Sequence, residues 1–286
     1  MKTNTASMYG AFVQSNILFD KPYEFVPNTT LNERHEVQAG VVPNTTERMA
    51  IRYWGIGRGG HRNMTGEGEE FYTTEELHDA RDASMFKPIP FIIRPIENDL
   101  DPATRAKYAM RVVQPINGRT YVLYYLRRMD TSRVSPQMML NLVNGNNVTS
   151  KPFVPTRENL FPVAQRIPTN TETEVSGEYG SVSTIIETLL TADEVSELIE
   201  ACRILYNNPN YAVISEIAIV AGADRIVKGQ GVGAGTIDYS EALCATVMSI
   251  LITYHLATAT NRGIKETLEM GTTEPTLINT RVTTSG

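Results

Sequence analysis

Residues 108–127 read YAMRVVQPINGRTYVLYYLR, and this stretch predicts a β-hairpin. Asn117-Gly118 is the dipeptide favoured by two-residue type I′ turns, because both central residues of such a turn need a positive φ. The second arm, at residues 121–126, is apolar on both faces. We therefore expect this arm to be covered on both sides, either by its own chain or by a neighbouring one.

The segments around the hairpin predict a β-rich body over residues 51–180. Residues 51–56, IRYWGI, are typical of a strand, and the short apolar run at 88–95 lies between prolines, which favours an edge position in a sheet. Residues 131–180 contain many turn-forming residues, so we interpret them as a long loop with short strands. A loop of that length is usually functional or disordered.

The C-terminal third predicts helices over residues 181–263. Thr191-Ala192-Asp193-Glu194 is a capping box at the start of an amphipathic pattern. We also interpret the apolar stretch at 242–259 as a long buried helix, followed by a tail at 264–286. The predicted fold class is α+β, with a β-rich N-terminal body, an extended N-terminal arm and an α-helical C-terminal part.

The predicted arm comprises residues 1–50 and is rich in Asn, Thr and Pro. It contains a near-repeat, VPNTT at 26–30 and again at 42–46, which indicates an extended chain with two equivalent bends. Neither the arm nor the tail can bury enough apolar surface of its own to offset the entropy of ordering, so we expect neighbouring subunits to order them. The candidate interface residues are Val26, Pro27, Val42, Pro43, Tyr121, Tyr124 and Tyr125.

The composition excludes several classes of partner. The net charge is −6 and no long basic run occurs, which argues against sequence-specific nucleic-acid binding. Polar residues interrupt the most apolar stretch, at 242–259, so we expect no membrane span. Cys202 and Cys244 lie in apolar surroundings and predict buried free thiols rather than a disulfide or a zinc site.

One glycine-rich segment resembles a nucleotide-binding motif. Residues 229–235 read GQGVGAG and match the pattern G-x-G-x-x-A. No acidic residue follows about twenty positions later to hold a ribose, and fewer than sixty residues remain for the rest of a doubly wound sheet. A hinge and a ligand site both stay open at this point. A nucleotide-binding enzyme is accordingly the alternative function of another class.

Two further clusters contain groups that bind ligands in other proteins. The basic loop at 57–62, GRGGHR, fits either an anion-binding nest or a tight loop whose arginines pair with acidic neighbours. In the acidic stretch at 75–82, His78 and Asp82 have the spacing of a metal pair, but an exposed acidic helix start explains the stretch equally. No nucleophile elbow or paired histidine motif occurs. We therefore expect no catalytic, cofactor or metal site, and no enzyme.

A set of short motifs lies between residues 51 and 128, in under a third of the chain. They are YWGIG at 53–57, GGHR at 59–62, RDA at 81–83, Pro90-Phe91, Arg94, NDL at 98–100, RAKY at 105–108 and YVLYYLR at 121–127. These motifs resemble virion structural proteins of tailed bacteriophages. The resemblance implies a virion part without catalytic residues, located in the virion and assembled in the host cytoplasm.

The resemblance and the composition together predict a ring-forming component of the neck, at the head–tail joint. Its partners would be copies of itself and other virion structural proteins. A baseplate or tail-terminator protein is the alternative within the same class. A small-ligand or carbohydrate-binding module using Tyr121, Tyr124 and Tyr125 is a third hypothesis, although such platforms need exposed rings.

Overall fold

The computed structural model describes residues 3–18, 26–65, 71–144, 147–160, 177–259 and 262–275. The chain divides into two compact units. Unit 1 comprises residues 1–131 and 188–266, and unit 2 comprises residues 132–187 and 267–286. Each unit is therefore built from two separate segments of the sequence.

Strands make up most of the regular structure. In chain order they are β1 (Thr3–Ala6), β2 (Ala50–Gly57), β3 (His61–Thr65), β4 (Phe71–Glu75), β5 (Pro88–Ile89), β6 (Ile92–Pro95), β7 (Tyr108–Ile116), β8 (Arg119–Arg128), β9 (Gln137–Asn144), β10 (Asn147–Pro152), β11 (Gly177–Leu190), β12 (Val213–Gln230), β13 (Thr236–Leu256) and β14 (Ile264–Pro275). The helices are α1 (Met8–Leu18), α2 (Leu31–Arg34), α3 (Pro102–Arg105), α4 (Arg157–Leu160) and α5 (Ala192–Tyr206). Short 3₁₀ turns occur at Ile96–Asn98, Thr131–Arg133, Pro209–Tyr211 and Ala257–Ala259.

Unit 1 is organised by an eight-stranded sheet with the order β1-β13-β12-β2-β8-β6, in which β5 also pairs with β2 and β7 with β8. The antiparallel hairpin of β12 and β13 is its longest part. Side chains from several strands form the core, among them Tyr53, Leu123, Leu126, Val220 and Val247, all with an exposure of 0%. Burial of such apolar side chains is the main stabilising contribution to a core of this kind.

The hairpin predicted at residues 108–127 is confirmed. β7 and β8 pair antiparallel, from Ile116 opposite Arg119 back along both strands. Asn117 has φ 49° and Gly118 has φ 79°, as a type I′ turn requires. The proline-bracketed run at 88–95 is divided into β5 and β6, and β6 has the predicted edge position because it ends the sheet.

The predicted α-helical C-terminal part is wrong. Only α5, with the predicted capping box of Thr191 and Glu194, is a helix of more than one turn among the described residues after 181. The stretch at 242–259 instead lies mostly in β13, where every residue from 241 to 253 is buried. A strand buried on both faces lacks the apolar–polar alternation that identifies a strand, so its sequence looks like that of a buried helix.

The predicted extended N-terminal arm also needs correction. β1 pairs with β13, from Thr3 opposite Ile252 to Ala6 opposite Ser249, and α1 follows directly. The first VPNTT copy leads into α2, where Thr30 and Glu33 form a capping box. Residues 1–50 thus contain a strand and two helices of unit 1, with residues 19–25 outside the described part.

Unit 2 contains a four-stranded sheet with the order β10-β9-β11-β14, to which β11 and β14 each contribute part of their length. β9 pairs antiparallel with both β10 and β11. The sequence predicted a long loop with short strands at 131–180. The described residues in that range hold β9, β10, α4 and the start of β11, and residues 161–176 lie outside them.

Candidate functional site

The two VPNTT copies do not form equivalent bends, so that prediction is wrong. Asn28 of the first copy has φ 64° and the copy leads into α2, whereas the second copy forms a turn that no helix follows. In the first copy the backbone N–H of Thr30 donates to Glu33 Oε2 (3.3 Å), and in the second the backbone N–H of Asn44 donates to Glu47 Oε2 (2.8 Å). The same Glu47 carboxylate accepts from Arg225 Nε of β12 (2.6 Å), which fixes the second bend to the sheet. The candidate interface residues Val26, Pro27 and Val42 are exposed, and Pro43 is half-buried.

The three tyrosines of the hairpin have different surroundings. Tyr124 is buried, and its hydroxyl donates to Asp99 Oδ1 (2.6 Å). Tyr125 is half-buried, with its ring 4.0 Å from that of His35. Tyr121 is half-buried against the core, with the Arg119 guanidinium 5.6 Å from its ring. The second arm of the hairpin is thus covered largely by its own chain, and Tyr124 is not accessible to a partner.

The helix α1 exposes apolar side chains that no sequence motif had singled out. Its sequence, MYGAFVQSNIL, has no charged residue. Met8 is 65% exposed, Phe12 44% and Leu18 81%, whereas the buried positions of the helix are Gly10 and Val13. Gly10 lies directly on β13, where a Cβ would be 2.9 Å from Met248 Cα. α1 therefore rests on the sheet by a narrow face and presents the rest of its apolar surface outward.

A pocket of about 450 Å³ lies in unit 1, within the size range of small-molecule sites. Its lining comprises Arg58, Gly59, His61, Arg62, Glu76, Phe86, Lys87, Asn210, Tyr211, Val213 and Tyr254. Most of these residues come from the loop and strand after β2, from the segment before β5 and from the 3₁₀ turn that precedes β12. The basic loop and the acidic stretch noted in the sequence therefore meet at this pocket.

Arg58 occupies one wall of the pocket between two tyrosines. Its guanidinium carbon lies 4.5 Å from the ring centre of Tyr206 and 4.6 Å from that of Tyr211. Such cation–π contacts hold the charge in place without neutralising it. Arg62, in contrast, forms an ion pair with Glu76 through Nε at 2.8 Å.

A buried carboxylate, Glu216 of β12, lies behind the pocket wall and organises it. Its Oε2 accepts from the backbone N–H of Gly59 (2.8 Å) and Lys87 (3.2 Å), and its Oε1 accepts from that of Phe86 (2.7 Å). His78 Nε2 lies 2.8 Å from Oε1, and the same ring stacks on Phe86. One side chain thus connects two loops to the central strand.

Opposing effects set the protonation states of this cluster. Burial raises the pKa of Glu216, but hydrogen bonds from His78 and from the three backbone N–H groups outweigh it and hold the pKa below its usual 4.5. Burial lowers the pKa of His78, but its hydrogen bonds to Glu216 and Asp82 outweigh it and the pKa is raised above 6.5. Both shifts favour the charged forms, an imidazolium of His78 hydrogen-bonded to the carboxylate of Glu216.

Three glycines, Gly57, Gly59 and Gly60, allow the chain to pass close to this cluster. A Cβ on Gly60 would lie 2.2 Å from the carbonyl oxygen of Ser215, well inside contact distance. We expect Gly60→Ala to lower the free energy of unfolding by about 2–3 kcal/mol, because the backbones must move apart. Urea denaturation measures the loss. Gly231→Ala is the control, since its nearest contact would be 3.2 Å; equal losses in both variants would contradict the close-packing argument.

The remaining sequence motifs have structural explanations. The 229–235 segment joins β12 to β13, so the helix that a dinucleotide fingerprint needs does not follow it. His78 and Asp82 do meet, at 2.9 Å, although the segment is not helical. No group of three or more potential metal ligands occurs among the described residues. Cys202 and Cys244 are buried, as predicted, and the Cys244 thiol donates to the carbonyl oxygen of Val41 (3.2 Å).

Sequence reasoning missed Glu216, Glu241 and the aromatic clamp on Arg58. A single acidic residue inside an apolar run, as at 213–221, was the available signal for Glu216. Such a residue needs partners when the run is buried. Its actual partners lie more than 120 positions earlier in the chain, which no local pattern reveals.

A family model matches residues 1–285 and therefore spans both units. The chain belongs to DUF7208, a family of unknown function. Searches of the curated proteins and of the solved structures found no match. No helix in the described part of the chain is long and apolar enough to cross a membrane. The family assignment leaves the surfaces and the pocket as the basis for a functional argument.

Proposed function

We propose that this protein is a non-catalytic structural component of a tailed-bacteriophage virion, forming a ring of identical subunits in the neck at the head–tail joint. The observation that carries the proposal is the uncharged, outward-facing helix α1. Its large apolar side chains are exposed at four positions, Met8, Phe12, Ile17 and Leu18. Exposed apolar patches of this kind mark sites of protein association. Covering one large apolar side chain contributes about 1.5–3 kcal/mol, so a neighbouring subunit on α1 would gain substantial stabilisation.

A second apolar surface supports the same proposal. In unit 2, Met138 pairs directly with Val182, and Leu142 lies on the same face because side chains alternate along a strand. All three are exposed. Contiguous exposed apolar patches mark sites of protein association. Two such surfaces on one chain suit a subunit that has more than one interface.

The resemblance of residues 51–128 to tailed-phage virion proteins indicates the kind of assembly. Copies of the chain and other virion proteins would then be the partners, and the virion, assembled in the host cytoplasm, the location. A baseplate or tail-terminator protein would use the same surfaces, and remains the alternative within this class. A nucleotide-binding enzyme is the alternative of another class. No feature of the 229–235 segment in the described structure supports it.

Phe12→Asp combined with Leu18→Asp should convert the assembled wild-type protein to monomer. Both side chains are exposed on α1, so the variant should fold normally, while two carboxylates on the apolar surface would have to be desolvated in any interface. Light scattering across a concentration series measures the mass of each species.

Gln14→Asp is the matched control, because it adds a charge at an exposed polar position of the same helix. It should disturb assembly less than the double variant. A wild-type protein of discrete oligomeric mass would support the ring. A wild-type protein that stays monomeric at every concentration would contradict self-assembly through α1.

A further inference from the structure

We propose that the pocket beside Arg58 binds a small molecule in which a carboxylate or phosphate group adjoins a planar ring. This inference goes beyond the structural role and does not depend on it. The pocket volume of about 450 Å³ lies within the range of small-molecule sites. It also exceeds what one inorganic oxyanion would fill, which indicates a ligand with more than an anionic group.

The charge of the lining selects an anion. Three cationic side chains, those of Arg58, Arg62 and Lys87, line the pocket together with a single carboxylate, Glu76. Glu76 pairs with Arg62, whereas Arg58 and Lys87 form no ion pair with any described residue. A chain with a net charge of −6 therefore places positive charge without an ion-pair partner among the described residues in this pocket. Clefts lined by one sign of charge concentrate ligands of the opposite sign.

The lining also contains polar groups for which the described residues supply no partner. The Nε of Arg58 and the Nδ1 of His61 are buried and have no hydrogen-bond partner among the described residues. The side chain of His61 is 9% exposed. A buried donor left unpaired costs about 1–3 kcal/mol, so structures that keep such groups usually have a reason to do so. Here both unpaired groups belong to residues that line the same pocket as the cationic side chains.

The aromatic lining selects the second part of the ligand. Tyr211 and Tyr254 are both exposed at the pocket, and Phe86 adds a third ring. The Tyr254 ring lies 5.1 Å from that of His61, and Tyr211 holds the Arg58 guanidinium. A planar ring can stack on these faces while its anionic substituent meets Arg58 and Lys87.

Side chains rather than backbone provide the recognition. The sequence GRGGHR at 57–62 is compatible with a backbone nest, but the N–H of Gly59 donates to Glu216 and that of Gly60 donates to Ser215 Oγ (2.9 Å). These donors are occupied by the chain's own groups. The guanidinium of Arg58 and the ammonium of Lys87, which form no ion pair with a described residue, are the charged donors that we assign to the ligand.

Isothermal titration calorimetry with phenyl phosphate and with benzoate tests the proposal and separates the two anion types. Phenol and benzamide are the neutral analogues, and inorganic phosphate and acetate are the anions without a ring, all at matched ionic strength. We expect saturable binding of at least one aromatic anion. The neutral analogue and the ringless anion should each bind at least about tenfold more weakly, since each lacks one of the two recognised parts.

Lys87→Gln should weaken that binding by about tenfold, because a charge-assisted hydrogen bond is lost. The Lys87 side chain is exposed, so the fold should be unaffected, and an unchanged thermal melting curve verifies this. Lys107→Gln is the matched control at an exposed lysine outside the pocket. The proposal is overturned if neither aromatic anion shows saturable binding at about 10 mM. It is equally overturned if the neutral analogue binds as tightly, or if both lysine variants behave alike.

Discussion

Glu216→Ala should lower the free energy of unfolding of unit 1 by about 3–5 kcal/mol, the usual cost of removing one partner from a buried ion pair. Glu216 is fully buried, and the substitution leaves His78 with Asp82 as its remaining carboxylate partner. Three backbone N–H groups also lose their acceptor. Urea denaturation followed by circular dichroism gives the difference between the variant and the wild type.

Glu216→Gln is the control for this prediction, because the amide keeps an acceptor oxygen but removes the charge. We expect it to cost about half as much, since charge-assisted hydrogen bonds are roughly twice as strong as neutral ones. A loss below about 1 kcal/mol in Glu216→Ala would show that water or a rearranged loop replaces the carboxylate.

The pH dependence provides a second readout for the same pair. The pKa of Glu216 is lowered in the folded protein, so its contribution is present above pH 4.5 and is lost as the pH falls. The pKa of His78 is raised, so its contribution is present below pH 6.5 and is lost as the pH rises through the folded-state pKa. The difference in stability between the wild type and Glu216→Ala should therefore be largest between about pH 4.5 and 6.5.

The parts of the fold that the sequence predicted are those with local signals. Asn117-Gly118 specifies a turn by the φ values that these residues tolerate, and Thr191 with Glu194 specifies a helix start by a reciprocal hydrogen bond. The residues that make up each signal lie within four positions of one another in the sequence. Neither signal depends on contacts with distant parts of the chain.

The long hairpin of β12 and β13 could not be identified in the same way. β13 is covered on both faces, and its register shifts near Cys244, which has φ 48°. The alternation of a half-buried strand is therefore absent, and the irregular pairing adds no recognisable pattern. Ser240 and Glu241, directly before the stretch predicted as a helix, lie within the strand, and the Glu241 side chain is fully buried.

The candidate pocket could be predicted only in part. The basic residues at 57–62 and the acidic stretch at 75–82 were visible as clusters, but their meeting depends on Glu216 and on Tyr206 and Tyr211. These residues are more than a hundred positions away in the chain. The sequence therefore shows which side chains could bind a ligand, whereas the pairing of the strands determines which of them come together in the pocket.

Glu241→Gln should stabilise the protein at alkaline pH, with an effect that grows as the pH rises. Glu241 is fully buried on β13, where Oε1 accepts from the backbone N–H of Arg111 (3.2 Å) and Oε2 has no partner among the described residues. Burial raises the pKa of Glu241 from 4.5 to about 8, and hydrogen bonds from Tyr239 and Arg111 offset only part of the rise. The folded protein therefore retains a proton that the unfolded chain releases.

The sign of the effect follows from that difference in bound protons. Below pH 4.5 the Glu241 carboxyl is protonated in both the folded and the unfolded state, so it does not reduce the free energy of unfolding. Between pH 4.5 and about 8 the wild type loses stability as the pH rises. Above about pH 8 the loss is complete. At 1.36 kcal/mol per pKa unit the full loss is on the order of 5 kcal/mol. Gln cannot ionise, so the variant should escape this loss. Denaturation at pH 4 and pH 9 compares the two proteins, with Glu36→Gln at an exposed position as control. A wild-type-to-variant difference that is the same at both pH values would mean that Glu241 ionises freely in the folded state.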